Sequence, residues 1–230
     1  MKRLTAFLTL LFIIVRAWSQ QDNCNCSSSD EYSRWLLKGL IGVEYFNPVN
    51  GYKGSQYLQD WAYGDVELTD GEIIRDIIIR YDRYADQLLW LRKMDYRKGM
   101  LNKDIITGFT VKDFWNKPQS HFTKRRIFLP WLDSTEVFLQ ELVVGDISFY
   151  VYRKVKEEPV EYNLMDNTRY ILQTGGKDYV IPLKRKSLLE LPFIVKADMK
   201  KVLRHNRISV LNNEKGMAMA IDLYNRRSEK

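Results

Sequence analysis

The feature of this 230-residue chain that most constrains its fold is a period-two alternation of apolar and polar residues between about residues 56 and 183. The alternation is clearest at residues 147–152, ISFYVY. Turn sequences such as Asp70-Gly71 separate the alternating segments. Because successive side chains of a strand point to opposite faces, such segments are typical of half-buried strands joined by hairpins. About seven or eight of them predict an antiparallel β-sheet or a small β-sandwich.

The predicted strands lie within residues 64–71, 72–81, 84–91, 105–111, 135–144, 147–155, 169–174 and 179–183. The second of these segments is rich in isoleucine. Strict alternation there places Ile73, Ile77 and Ile79 on one face of the strand. It places Ile74 and Ile78 on the other face.

Both ends of the alternating region change to helical spacing. Ser28 and Glu31 are spaced as a capping box before an amphipathic helix predicted over about residues 30–41. Further along, Ser187, Asp198 and Asn213 are candidate N-caps. The sequence therefore predicts an α+β fold: a short N-terminal helix, a meandering antiparallel sheet, and two to three C-terminal helices that pack on the sheet.

The first nineteen residues have the three-part layout of a secretory signal peptide. A cationic Lys2-Arg3 precedes an apolar run, and the small residues Ala17 and Ser19 precede the expected cleavage site. The run is too short for a permanent transmembrane helix. We therefore divide the chain into a signal peptide (1–19), a flexible polar linker (20–29), a mainly antiparallel β domain with its leading helix (30–186) and a basic helical tail (187–230).

The only two cysteines, Cys24 and Cys26, lie in the predicted linker. A disulfide between residues two apart is sterically tight. Two thiolates without a nearby histidine or further cysteine also make a poor metal site. We interpret the segment as a tether whose cysteines pair with each other or with another chain, so the core has no disulfide framework.

Charge is unevenly distributed along the chain. Residues 20–183 carry 21 basic and 24 acidic side chains, whereas residues 184–230 carry 12 and 5. Such a basic tail either contacts phosphates, anionic lipid headgroups or an acidic partner, or is simply a solvated helix face. Nucleic acid is not expected outside the cytosol, and the tail has no aromatic platforms for single strands. The candidate contact residues are Lys184, Arg185, Lys186, Lys200, Lys201 and Arg204.

Motifs of the common enzyme classes do not occur in the sequence. It contains no G-x-S-x-G elbow, H-E-x-x-H pair, P-loop or dinucleotide fingerprint. The two histidines, His121 and His205, have no carboxylate or cysteine nearby at metal-ligand spacing. We predict no catalytic residue, no cofactor and no metal, and interpret the histidines as structural.

One stretch has the composition of a carbohydrate-binding cleft. The aromatic side chains that can stack on sugar rings there are Trp61, Tyr63, Tyr84 and Trp90. The carboxylates nearby are Asp60, Asp65, Asp82 and Asp86. A pair of them brought together by folding would suit glycoside hydrolysis. The same composition is also common at sheet edges and in turns.

Two stretches carry a family resemblance. The first contains Gly64-x-Val-x-Leu-x-Asp-Gly71 and Tyr81-Asp-x-Tyr-x-Asp-Gln-Leu88, and the second runs from Lys186 to Leu223-Tyr224-Asn225. They resemble a module of exported Bacteroidota proteins that have no assigned function. The resemblance implies a Gram-negative envelope setting and an order of strands followed by helices. It supplies no catalytic or binding residues.

These observations predict a non-catalytic protein exported to the periplasm or associated with the outer membrane of a Gram-negative bacterium. The chain lacks a β-rich C-terminal domain like those that direct cargo through the dedicated secretion system of Bacteroidota, which favours the periplasm. The expected role is binding of an envelope protein or of the anionic membrane surface. The alternatives are a glycan-binding module and a carboxylate-dependent hydrolase.

Overall fold

The structure is a computed structural model that describes residues 28–228 except Met94, Pro130, Trp131 and Pro159. The predicted signal peptide, most of the predicted linker and both cysteines lie outside the described residues. The contacts within the chain divide it into two compact units, Met1–Leu40 and Ile41–Lys230.

In the first unit, helix α1 spans Ser28–Leu37. It begins and ends earlier than the predicted 30–41, and the glycine that follows explains its end. Gly39 has a φ of 68°, which is the left-handed conformation that terminates helices. The amide of Leu40 then donates to the carbonyl oxygen of Trp35 at 3.0 Å.

The second unit is mostly antiparallel sheet, as predicted. Its strands are β1 (Ile41–Glu44), β2 (Ala62–Leu68), β3 (Ile73–Asp82), β4 (Gln87–Leu91), β5 (Lys98–Leu101), β6 (Ile106–Lys112), β7 (Pro118–Leu129), β8 (Leu132–Val143), β9 (Ser148–Tyr152), β10 (Val155–Glu158), β11 (Asn163–Asp166), β12 (Arg169–Thr174) and β13 (Lys177–Ile181). A short 3₁₀-helix, Lys103–Ile105, precedes β6. Eleven strands form one sheet, and β10 and β11 form a separate ribbon. The described strands are therefore more numerous than the sequence predicted.

The order of the large sheet is β1-β5-β4-β3-β2-β6-β7-β8-β9-β12-β13. Two meanders thus share strand β2. The chain builds outward from β2 through β3, β4 and β5, and it then returns to place β6 on the other edge of β2. From β6 a second meander continues through β7, β8 and β9.

The predicted alternation of isoleucines in β3 is wrong in detail, because the strand contains a β-bulge. The pairing of β2 with β3 shifts register between Gly64 and Val66. On β3, Asp76 takes a φ of 56°. The extra residue brings Ile74 to the same buried side as Ile77, while Ile73 is exposed.

Strand β7 was not predicted, because its sequence carries three consecutive cations. The structure accommodates two of them by specific contacts on the sheet. The ammonium group of Lys124 donates to the carbonyl oxygens of Lys103 and Asp104, both at 2.9 Å. The guanidinium of Arg125 lies over the ring of Tyr150, 4.8 Å from its centre.

Four fully buried aromatic side chains form the centre of one face of the sheet: Tyr81, Phe109, Phe122 and Phe138. Phe109 and Phe122 stack with ring centres 4.6 Å apart. Phe138 meets Phe109 edge-on at 5.1 Å. They come from strands β3, β6, β7 and β8, so this cluster joins the two meanders.

Three C-terminal helices cover strands β8, β9, β12 and β13: α2 (Arg185–Leu189), α3 (Lys196–His205) and α4 (Glu214–Ser228). Phe149 and Leu172 of the sheet are buried in one cluster with Met199 and Ile221 of the helices. The tail helices therefore pack on this part of the sheet.

The predicted helix starts are right in one of three cases. Asn213 accepts the amide of Gly216 at 3.0 Å and so caps α4. Helices α2 and α3, however, begin after Lys184 and Val195, which provide no side-chain cap. Ser187 and Asp198 instead lie inside these two helices.

Candidate functional site

Helix α3 is amphipathic, and its polar face is strongly basic. Met199, Val202 and Leu203 are buried in the cluster that the helices form with the sheet. With 3.6 residues per turn, burial of this stripe leaves Lys200, Lys201 and Arg204 outside. The helical spacing of the apolar residues therefore places these three cations on the outer face of α3.

A groove with a volume of about 1190 Å³ runs between α3 and the C-terminal part of α4. Its apolar lining includes Ala197, Val202 and Leu223, and Asn206 and His205 add polar groups. The cations that line it are Lys200, Lys201, Arg204, Arg226 and Arg227. The groove therefore combines apolar surface with positive charge from two helices.

A second, smaller groove of about 490 Å³ adjoins the first. Arg185 and Lys186 of α2 line it together with Lys196 of α3. Lys200 lines both grooves. We call the combined surface of the two grooves the basic face. Of the residues that the structure describes, eight lysine and arginine side chains line it, against one carboxylate, Glu190.

Neighbouring carboxylates neutralise only part of this charge. Asp222 pairs with Arg226 at 2.8 Å. The pairs Lys186–Glu190 and Lys201–Asp198 are longer, both 3.9 Å, and both are exposed. Exposed pairs of this kind are weak and are easily exchanged for a ligand. Among the residues that the structure describes, no carboxylate forms an ion pair with Lys200 or Arg204, so the positive charge at the centre of the basic face is not neutralised by them.

The structure brings together five of the six predicted electrostatic residues. Lys200, Lys201 and Arg204 line the large groove, and Arg185 and Lys186 line the small one. Lys184 is exposed just before α2 and lines neither groove. Sequence reasoning missed three further lining cations, Lys196, Arg226 and Arg227. For Arg226 and Arg227, the sequence signal was that both are basic and lie in the last turn of α4.

The four predicted stacking aromatics do not form one exposed platform. Trp90 is only 7% exposed, whereas Tyr63 is 45% exposed and lies beneath the ammonium group of Lys93, 5.0 Å away. Arg80 lies over Trp61 at 5.5 Å. The hydroxyl of Tyr84 donates to Glu157. Three of the four rings are thus already engaged by charged side chains of this chain.

The carboxylates of Asp82 and Asp86 are both buried in the turn region between β3 and β4. Asp82 accepts the hydroxyl of Tyr45 at 2.6 Å and the amide of Tyr84 at 2.8 Å. Asp86 accepts the hydroxyl of Tyr81 at 2.5 Å and the ammonium of Lys103 at 2.6 Å. Both groups are satisfied internally, and neither lines the basic face. This arrangement is that of structural carboxylates.

His121 has acidic neighbours that the sequence did not indicate. Its ring nitrogens lie 3.8 Å from Glu67 and 3.6 Å from Glu141. Thr110 also contacts the Nδ1 atom at 3.0 Å. These residues come from strands β2, β6, β7 and β8, so only the pairing of the strands brings them together. Across the described part of the chain, no three histidine, cysteine, aspartate or glutamate side chains meet in an arrangement that could hold a metal ion.

None of the helices in the described ranges has the length and hydrophobicity needed to cross a bilayer. Comparisons with protein-family models, with curated proteins and with solved structures found no match.

Proposed function

We propose that this chain is a non-catalytic exported protein of the Gram-negative cell envelope, and that its basic face binds an acidic segment of a partner protein. The observation that carries the proposal is the large groove, which is concave, partly apolar and lined by five cations. The signal-peptide pattern of residues 1–19 supports the extracytoplasmic location.

The shape of the groove favours a polypeptide segment over a bilayer. A flat lipid surface meets the rim of a concave groove but does not fill it. An amphipathic helix or an extended segment can enter and cover Val202 and Leu223. Acidic side chains on that segment would then face Lys200, Arg204 and the arginines of α4, so charge complementarity would set its orientation and speed its association.

Charge reversal tests the proposal. The probe is a fluorescein-labelled synthetic peptide with glutamate and leucine at helical spacing, and its affinity is measured by fluorescence anisotropy. The variant Lys200→Glu/Arg204→Glu should bind it at least about tenfold more weakly, because each reversed charge replaces an attraction by a repulsion of roughly 1 kcal/mol near the surface. Added salt should weaken binding to the unmodified chain as well.

The matched control is Lys177→Glu/Lys215→Glu, which changes net charge equally at exposed positions outside the basic face. It should retain the affinity of the unmodified chain. Equal losses in both variants, or equal binding of a glutamine analogue of the peptide, would contradict the proposal. Salt-sensitive sedimentation with phosphatidylglycerol vesicles, lost in the first variant and without any peptide binding, would assign the basic face to the membrane instead.

A further inference from the structure

The hairpin between β6 and β7 ends in two aromatic side chains that contact little else. Phe114 is 94% exposed and Trp115 is 75% exposed. Their rings meet edge to face, with centres 5.9 Å apart. Water contact with large apolar rings is unfavourable, so two neighbouring exposed rings at a tip indicate a binding role.

Most backbone amides of this tip are paired by hydrogen bonds within it. The carboxylate of Asp113 accepts the amides of Trp115 and Lys117 at 2.9 and 2.8 Å. The amides of Asn116 and Asp113 are also paired within the tip. Because four of the five backbone amides of residues 113–117 are paired, the tip loses few amide hydrogen bonds to water on entering a layer of lower polarity.

The tip is also braced against the sheet. The side-chain amide of Asn116 donates to Asp76 at 3.2 Å. Asp76 in turn accepts the ammonium of Lys112 at 2.7 Å. Asn116 takes a φ of 61°, which an asparagine tolerates better than most residues. The turn that carries the two rings is thus linked to the sheet by side-chain hydrogen bonds.

We infer that this tip, which comprises Phe114 and Trp115, inserts into the interfacial region of a lipid bilayer. Tryptophan is enriched at the level of the headgroups because its ring is apolar and its N–H is polar. The exposed ammonium of Lys117, at the base of the tip, is placed to meet headgroup phosphates. The tip is convex and only two residues wide, which suits shallow insertion. The inference is independent of the basic face, which is lined only by residues 185–227 of the C-terminal helical region.

The test uses the full chain and vesicles of zwitterionic phosphatidylcholine at high salt, where electrostatic binding is suppressed. Sedimentation with vesicles should fall about tenfold or more in Phe114→Ser/Trp115→Ser, because most of the apolar area that drives insertion is lost. The control Val160→Ser/Leu211→Ser removes exposed apolar side chains elsewhere and should sediment like the unmodified chain.

A second readout reports the depth of the tip itself. Lipids brominated on their acyl chains should quench part of the tryptophan fluorescence of the unmodified chain. Trp115→Phe should still sediment with vesicles but should lose that part of the quenching. Sedimentation that is absent, or that is unchanged in the double serine variant, would overturn the inference. So would photocrosslinking from position 114 that captures a protein while the vesicles do not bind.

Discussion

Alanine at Gly216 should destabilise the folded chain by about 3 kcal/mol, although glycine-to-alanine changes inside helices usually stabilise by about 1 kcal/mol. The reason is a close approach within the first turn of α4. A Cβ atom at this position would lie 2.0 Å from the carbonyl oxygen of Ser209 and 2.8 Å from the side-chain nitrogen of Asn213. Because a backbone atom is the nearest neighbour, relief requires the chain before α4 to move.

Urea denaturation followed by circular dichroism measures this difference. Gly99→Ala is the matched control, because a Cβ atom there would meet its nearest neighbours at 3.9 and 4.0 Å, ordinary contact distances. It should leave the free energy of unfolding within about 0.5 kcal/mol of the starting value. A Gly216→Ala chain as stable as the unmodified one would show that the turn before α4 is not held where the structure has it.

Removal of the Asp86 side chain should cost about 3–5 kcal/mol of unfolding free energy. Asp86 is buried and accepts hydrogen bonds from Tyr81, Lys103 and the amide of Phe138. Alanine would leave the buried hydroxyl of Tyr81 and amide of Phe138 without this acceptor, and would deprive the ammonium of Lys103 of its paired carboxylate. Chemical denaturation at neutral pH of Asp86→Ala against the unmodified chain measures the loss.

The pH dependence of the free energy of unfolding shows how the ionisation of Asp86 affects stability, apart from the packing of its side chain. Burial raises the pKa of Asp86, although the ammonium of Lys103 opposes the shift. The folded chain then holds this proton more tightly than the unfolded chain, so the contribution of Asp86 is largest at low pH and falls as pH rises through the raised pKa.

The side-chain amide in Asp86→Asn does not ionise, so this variant lacks the pH dependence that Asp86 contributes. The stability of the unmodified chain relative to Asp86→Asn should therefore decrease from about pH 4 upward. A relative stability that grows with pH would mean that the pairing with Lys103 outweighs the cost of burial.

Strands whose sequence alternates between apolar and polar residues could be predicted. Features that depend on contacts with residues distant in sequence could not. Residues 147–152 alternate cleanly and form β9 nearly where expected. The bulge at Asp76 depends on the pairing with β2 and on Lys112, which is distant in sequence. Strand β7 looks too cationic to be a strand until Tyr150 and the carbonyl oxygens that receive its cations are in place.

Part of the basic face could be predicted from local sequence, and part of it depends on how the helices pack. The apolar stripe of α3 identifies Lys200, Lys201 and Arg204 from one helix alone. Arg226 and Arg227 join them only because α4 packs beside α3. Composition could not separate a buried ring such as Trp90 from an exposed one such as Tyr63, because composition does not specify which face of a strand the rest of the fold covers.

The return of the chain to β2 has a consequence for biosynthesis. Residues 41–105 can form their hairpins as they leave the ribosome or a translocation channel, yet one edge of β2 stays unpaired until residues 106–112 arrive. An open edge of this kind is a template for pairing with other chains. A polypeptide with this topology therefore benefits from a chaperone that keeps residues 41–105 from pairing with other chains until residues 106–112 are available.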